Sequence, residues 1–289
     1  MEYVAPTRLK EALGILRKPR GGARVVAGGT DVLPRVATGK MHRPKQLVSI
    51  RRLPGLDKIS VEGKGVLRIG AQVTLGEVAR SKQVARRLPS LVEAVSCIGS
   101  EQVRNTATLV GNVCSASSAA DAIPPLLCAE AMIEVAGSKG RRRLRIDELL
   151  SGPRKLSLKA GEIVLAVRIP KPAGRIGSVY RRHGPRKAMD CAVVIAAAQV
   201  TAKKGRIVEA RLALGAVHPV PVRVPAAEAL LAGRAPDEEA LTEAAEAVAA
   251  DIRPISDIRA SAQHRRTIVR RLVPEVILEA YVRAGGTRR

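Results

Sequence analysis

The sequence is almost without aromatic residues. Its 289 residues include three Tyr, no Phe and no Trp. The core must therefore be built from Ala, Val, Leu and Ile, and there are no rings to stack the bases of a single-stranded nucleic acid. No apolar run reaches the roughly 18–20 residues that span a bilayer. Met1–Lys10 has no apolar stretch, so no secretory signal is expected. Cysteine is sparse. Cys97, Cys114, Cys128 and Cys191 form no CxxC unit of the kind that usually holds zinc or an iron–sulfur cluster. Each lies among apolar or small residues, which predicts buried free thiols and a reducing cytoplasm. The four histidines, His42, His183, His218 and His264, lack metal-binding spacing such as HExxH. No nucleophile–base constellation stands out, so no catalytic residue and no metal ligand is assigned.

Acidic residues are outnumbered, 26 against 50 Lys and Arg, for a net charge of +24. A nucleic-acid or other anionic partner is one reading of that excess. The basic runs Arg17–Arg24, Arg141–Arg145, Tyr180–Lys187 and His264–Arg271 are scattered, however, and no basic tail dominates. A solvated Arg-rich surface explains them as well, and a basic face for an acidic protein stays open. Hydrophobic residues make up 46% of the chain, ample for a core, and the length suits one large or two ordinary domains.

The first part reads α/β. Arg24–Ala27 is a short strand ending at Gly28-Gly29-Thr30-Asp31, and a short helix follows over Val32–Gly39. Leu47–Ile50 is a further strand. Lys58–Val61 and Val66–Ala71 flank a glycine turn and form a hairpin. Thr74–Val95 has helical spacing with a break near Pro89. A helix is expected over Pro124–Ala131, and Ala131–Ala136 pairs with Arg142–Ile146. Beyond a Gly/Pro/Ser/Lys-rich boundary near Gly152–Gly161, Ile163–Ile169, Ile176–Arg181, Ala192–Thr201, Ile207–Ala216 and Val220–Val224 read as successive strands. Helices follow over Ala226–Ala232, Asp237–Ala250 and Ser261–Ala284, the last kinked or split at Pro274. Gly285–Arg289 reads as a frayed tail.

Two small-residue segments carry the chemistry. In Val25-Val26-Ala27-Gly28-Gly29-Thr30-Asp31-Val32, glycines let the backbone approach a ligand. Successive N–H groups and a helix start can then meet an oxyanion. A plain glycine turn with Asp31 as helix cap is the alternative. Gln102–Asp121 is mostly Gly, Ala, Ser, Thr and Asn, and its part Asn105–Asp121 is too long and polar for an ordinary linker. Its neutral hydrogen-bonding groups suit a cofactor with a pyrophosphate and a polyol chain, and Asp121 offers a carboxylate to a hydroxyl. A packing segment with Asp121 capping the next helix is the alternative.

Together, Ala27–Pro34 and Thr108-Leu109-Val110-Gly111-Asn112 with Ser117-Ser118-Ala119-Ala120-Asp121 resemble the paired flavin loops of the FAD-binding medium subunits of molybdenum hydroxylases. This family includes carbon monoxide dehydrogenase, xanthine dehydrogenase and 4-hydroxybenzoyl-CoA reductase. Ile69–Leu75, Glu162–Pro170 and Tyr180–Val194 are similar to the same family, so the resemblance covers nearly the whole chain. It implies an α+β protein with a two-part FAD-binding domain over 1–155. A C-terminal domain with a three-stranded antiparallel sheet and helices follows over 156–285, with 286–289 as a tail. It also implies that Val25, Val26, Ala27, Gly28, Gly29, Thr30, Asp31 and Val32, with Thr108, Leu109, Val110, Gly111 and Asn112, cradle the FAD pyrophosphate. Asp121 would contact the cofactor further along and Ile98 would line its ring environment. Val164, Tyr180 and Arg181 would lie near the isoalloxazine in the C-terminal domain. A cation such as Arg181 beside N1 and the C2 carbonyl favours the anionic reduced flavin.

The implied function is electron transfer from iron–sulfur clusters through non-covalent FAD to an external acceptor, in a cytoplasmic heterotrimer. The molybdenum cofactor would sit on a large partner subunit and two [2Fe-2S] clusters on a small one. No integral membrane segment and no nucleic-acid partner are implied. A basic nucleic-acid-binding protein and a stand-alone FAD oxidoreductase are the competing readings. Two departures from the family stand out. Val110 replaces the first of two glycines, and valine is at ease only at negative φ, so the turn there is expected to differ. The cysteine-rich insert of some reductase members has no counterpart.

Overall fold

The computed structural model describes residues 1–17, 22–186 and 189–287. Lys18–Gly21 of the first basic run, Lys187 of the third, Ala188, and Arg288 and Arg289 of the expected tail lie outside them.

The chain opens with β1 (Glu2–Val4), α1 (Leu9–Leu16), β2 (Ala23–Val26), α2 (Val32–Ala37) and β3 (Gln46–Ser49). The three strands form a parallel sheet in the order β1-β3-β2. All three therefore end at one edge, where ligands of parallel sheets gather. The second unit begins with the expected hairpin, β4 (Ile59–Glu62) and β5 (Val66–Gly70). The helical stretch after it is three helices, α3 (Leu75–Arg80), α4 (Lys82–Arg87) and α5 (Pro89–Ser96). One break comes at Leu88-Pro89. The other comes at Ser81, whose hydroxyl caps α4 by accepting from Val84 N–H.

Short helices α6 (Glu101–Arg104), α7 (Leu109–Cys114) and α8 (Ile123–Cys128) then lead to β6 (Met132–Gly137), β7 (Gly140–Arg145), α9 (Ile146–Leu149), the small ribbon β8 (Leu150–Gly152) and β9 (Lys155–Leu156), and β10 (Ile163–Ile169). Here the structure corrects the sequence reading. Ile163–Ile169 does not open the C-terminal domain. It is the middle strand of a five-stranded antiparallel sheet, β4-β5-β10-β6-β7. All seven residues are buried, and a run apolar but for Arg168, which pairs with Glu62 and with Glu134 at 3.3 Å, fits a central strand covered on both faces.

The C-terminal part carries β11 (Gly177–His183), β12 (Val194–Lys203) and β13 (Arg206–Gly215) as three long antiparallel strands. The two-residue edge strand β14 (Val222–Arg223) is added to them. Helices α10 (Pro225–Leu231), α11 (Glu238–Asp251) and α12 (Ala262–Arg283) follow. Asp237 caps α11 by accepting from Ala240 N–H at 2.9 Å. Ser261 caps α12 by accepting from His264 N–H at 3.1 Å. α12 runs unbroken through Pro274, because Leu272, Val273, Val276 and Ile277, buried on either side of it, bind the helix to the sheet. Beyond α12, Gly285 and Gly286 donate to Val282 and Tyr281 carbonyls at 2.9 and 3.0 Å, so the tail begins as a helix cap.

One face of the C-terminal sheet is covered by α10 and α12, and α5 and α8 pack on the other. Tyr180, Ala192 and Ile195 join Ala94 of α5 in a small buried cluster between the two domains.

Candidate functional site

The two glycine-containing loops meet. A Cβ built on Gly28 would lie 2.1 Å from the Thr106 carbonyl oxygen, so only glycine fits there. The second loop is fixed from its other side as well: Leu75 N–H donates to Ala107 O at 2.8 Å and Leu109 N–H to Val73 O at 3.2 Å. Gly29 sits at φ +77 and turns the chain from β2 into α2. The N–H groups of Gly28, Gly29, Thr30, Asp31 and Val32 donate to no acceptor among the described residues. Five successive free amides ending at a helix start are a donor set for phosphate oxygens. Thr30 adds an exposed hydroxyl. Val25 and Val26 pack into the first domain and leave only backbone to this edge.

Asp31 does not cap α2. Its carboxylate pairs with Arg154 at 3.1 Å and Arg35 at 3.5 Å. Arg154 also donates to Ser115 O at 3.3 Å, so it ties the first loop to the second. Arg51, at the end of β3, donates through Nε to Ala27 O at 3.1 Å and is otherwise exposed. Neither arginine belongs to a motif, and only the chain fold brings them here.

In the second loop Thr108 is the N-cap of α7 and accepts from Gly111 N–H at 3.0 Å. Val110 lies inside the first helical turn, 5% exposed and at negative φ. Helical geometry at this position suits valine. Asn112 Oδ1 accepts from Ala122 N–H at 3.4 Å and holds the far end of the loop. These residues fit a pyrophosphate and its polyol chain: a cradle that excludes even a Cβ, free amides, and neutral hydroxyl donors.

The second end of the site lies where the domains touch. Asp121 is buried but does not cap α8. Tyr180 Oη donates to its Oδ1 at 2.6 Å, and Arg182 approaches the same oxygen at 3.6 Å. Arg182 also donates to the Cys97 carbonyl at 3.3 Å and pairs with Asp190. Burial raises the Asp121 carboxyl above the usual range, against the opposing pull of the Tyr180 hydrogen bond and the Arg182 charge. Burial and the neighbouring carboxylate push the Tyr180 phenol well up. Ile98 is half-buried on the adjoining Cys97–Ser100 turn.

Two residues fall elsewhere. Val164 is 5% exposed within β10, in the core of the first domain. Arg181 points to the opposite face of β11, where it pairs with Glu279 of α12 and lies 3.7 Å from Glu93. Strand alternation is the reason: Tyr180 and Arg182 share one face and Arg181 takes the other. The cation beside Asp121 is thus Arg182. The thiols also differ from expectation. Cys128 is buried and Cys114 half-buried, both pushed up to about 12 by burial, whereas Cys97, on a turn, and Cys191, on the loop before β12, are exposed. Among the described residues no group of three or more His, Cys, Asp or Glu could hold a metal ion. Among the described residues no helix is long and apolar enough to cross a membrane.

Comparison with known proteins covers nearly the whole chain. Residues 1–172 match the family described as the FAD binding domain in molybdopterin dehydrogenase. Residues 179–280 match the CO dehydrogenase flavoprotein C-terminal domain. The xanthine dehydrogenase FAD-binding subunit of Escherichia coli O157:H7 is 34% identical over 286 residues, 98% of this chain and 97% of that one. The carbon monoxide dehydrogenase medium chain of Hydrogenophaga pseudoflava is 30% identical over 289 residues, 98% of each. A solved carbon monoxide dehydrogenase from Hydrogenophaga pseudoflava superposes with a TM-score of 0.93 at 30% identity. Quinoline 2-oxidoreductase from Pseudomonas putida 86 does so with a TM-score of 0.91 at 32% identity, and both structures cover 98% of each chain.

Proposed function

Because the chain belongs to the flavoprotein subunits of the molybdenum hydroxylases, we propose that it binds one FAD non-covalently and relays electrons from a partner's iron–sulfur clusters to an external acceptor. The observation that carries this reading is the seam at Gly28 and Thr106, where two loops meet beside five unpartnered amides. Gly28–Val32 would receive the phosphates, with Arg51 adding positive charge at the same strand edge. Thr108–Asn112 and Arg154 would hold the two loops at a fixed separation. Asp121 would accept from a hydroxyl of the polyol chain through the oxygen that Tyr180 leaves free. Ile98, Tyr180 and Arg182 would surround the ring system. When bound, FAD exchanges electrons singly or in pairs, which lets it join one-electron clusters to a two-electron acceptor.

The chain assembles, on this proposal, with a large molybdenum-cofactor subunit and a small two-cluster subunit as a heterotrimer. Its four free cysteines suit a reducing cytoplasm. Fluorescence titration of the purified chain with FAD should show one site. Acid or heat denaturation should release all the flavin into the supernatant, and flavin retained by the precipitate would refute non-covalent binding. Turnover with an oxidisable substrate should require both partners. Turnover by the chain alone would favour a stand-alone oxidoreductase.

A further inference from the structure

Tyr180 belongs to the C-terminal sheet, yet two carboxylates of the first domain hold it. Its phenol donates to Asp121 Oδ1 at 2.6 Å, and its backbone N–H donates to Glu93 Oε2 at 2.9 Å. The second contact follows from strand order. β11 is an edge strand, so every other residue turns its N–H and C=O away from β12 and needs partners elsewhere. For Tyr180 those partners are side chains. Glu93 takes the N–H, and Arg181 donates to the C=O at 2.8 Å. Two residues earlier on the same edge, Ser178 O accepts from Arg283 at 2.7 Å. Arg283 also donates to Glu93 Oε1 at 2.6 Å, so the carboxylate is itself held in place.

Helix α5 delivers Glu93 to this edge. Ser90, Glu93 and Ala94 are spaced i, i+3 and i+4 and share one face of the helix. Ser90 N–H donates to Ser178 Oγ at 3.3 Å, and Ala94 shares a small buried cluster with Tyr180, Ala192 and Ile195. The two carboxylates restrain Tyr180 in different directions. Glu93 grips the backbone at the edge of the sheet. Asp121 grips the far end of a side chain that stands across the sheet. The ring is rigid and Tyr180 is 2% exposed, so a displacement of its backbone carries Oη with it. Without an acceptor at position 93 the Tyr180 N–H is left unpaired in a buried place, and the strand must move to satisfy it.

We infer that Glu93 is a positioning residue: by holding the Tyr180 N–H from α5, it sets the phenol against Asp121 at the ring end of the flavin site. This rests on the reading of the chain as a flavin-carrying subunit. The effect of Glu93 on the flavin runs through Tyr180.

The test compares Glu93→Ala, Glu93→Asp and Glu93→Gln in the full chain. Gln keeps an oxygen for the Tyr180 N–H and gives up the charge paired with Arg283. Asp keeps the charge and draws the oxygens back by one methylene. With three Tyr and no Trp in the sequence, carbon-13 labelling at tyrosine Cζ gives one NMR signal per ring, and Tyr180→Phe identifies the one that matters. In Glu93→Ala this signal should move toward its position in Asp121→Ala, where the acceptor is gone, and in Glu93→Asp it should move the same way by less. FAD affinity of Glu93→Ala should fall about fivefold, and the visible spectrum of the bound flavin should shift. In Glu93→Gln the signal, the affinity and the spectrum should return close to the parent, although the chain unfolds at lower urea. A parental Tyr180 signal in Glu93→Ala, or in Glu93→Asp should Glu93→Ala not fold, would overturn the inference. So would a moved signal with parental FAD affinity, or a Glu93→Gln that behaves as Glu93→Ala does. A parent that binds no FAD would sink the flavoprotein reading, while the tyrosine signals, recorded without flavin, still decide whether Glu93 positions Tyr180.

Discussion

The two ends of the site are made of different material. At the glycine loops the groups offered are backbone amides, and one strand-to-helix turn supplies five in succession. At the domain junction they are side chains from separate parts of the chain: Asp121 before α8, Tyr180 and Arg182 on β11, and Asp190 beyond it. The first end needs a close approach and loses it when a side chain is added. The second needs charges matched in a buried place and loses it when one is removed. The same ligand would thus be held by shape at one end and by electrostatics at the other.

The largest expected effect comes from breaking the shape. Gly28→Val puts a branched side chain where a Cβ alone would be 2.1 Å from the Thr106 oxygen and 2.8 Å from its carbonyl carbon. Both contacts are to backbone, so the loops must separate. FAD affinity should fall about a hundredfold or more, with about 2–3 kcal/mol lost from folding. Gly29→Val should do less. Its φ of +77 is strained for valine, but the added Cβ meets Leu33 Cδ1 at 3.0 Å, a side chain able to move. Parental flavin quenching by Gly28→Val would show that the cofactor does not use this seam.

Asp121→Ala tests the electrostatic end. It removes the acceptor of Tyr180 Oη and a neighbour of Arg182. The lost charge-assisted contact should cost about 1.5–3 kcal/mol, or roughly ten- to a hundred-fold in FAD affinity. Asp121→Asn separates charge from shape. Because burial raises the folded-state pKa of Asp121 above the ordinary 3.8, its contribution to stability is fully present below that value. It fades as pH rises through the raised one. The parent should therefore lose stability relative to Asp121→Asn as pH climbs above about 4. Urea unfolding at several pH values measures this, and a constant difference would mean that the carboxyl titrates normally.

The same contrast explains what could be read in advance. The glycine loops are local: a strand, two glycines, a threonine and a helix start lie within ten residues, and the chemistry follows from the order. The hairpin of β4 and β5 and the long strands of β11 to β13 were legible for the same reason. β10 was not. Its sequence states that it is buried, not which sheet buries it, and its partners lie about thirty and a hundred residues back, in β6 and β5. Arg51 and Arg154 reach the first loop only through the fold. Arg181 and Arg182 were separable in principle, since their alternation on a strand is fixed, but the face turned toward Asp121 depends on how the C-terminal sheet lies against α5 and α8.

The smallest expected effect comes from that neighbouring pair. Arg182→Gln withdraws the cation shared by Asp121 and Asp190 and the donor to the Cys97 carbonyl. It should lower FAD affinity about tenfold, more for the charge than for the contact area. Arg181→Gln withdraws a cation from the other face of the same strand, where the side chain is 40% exposed and Glu279 keeps a second partner in Arg283 at 2.6 Å. A solvent-screened pair of this kind contributes little, and Glu93 keeps both the Tyr180 N–H and Arg283. FAD affinity should stay within about twofold of the parent and melting should shift by only a few degrees. If flavin titration instead ranks Arg181→Gln below Arg182→Gln, then β11 faces the cofactor with its other side, and the assignment of Tyr180 and Asp121 to the ring end fails with it.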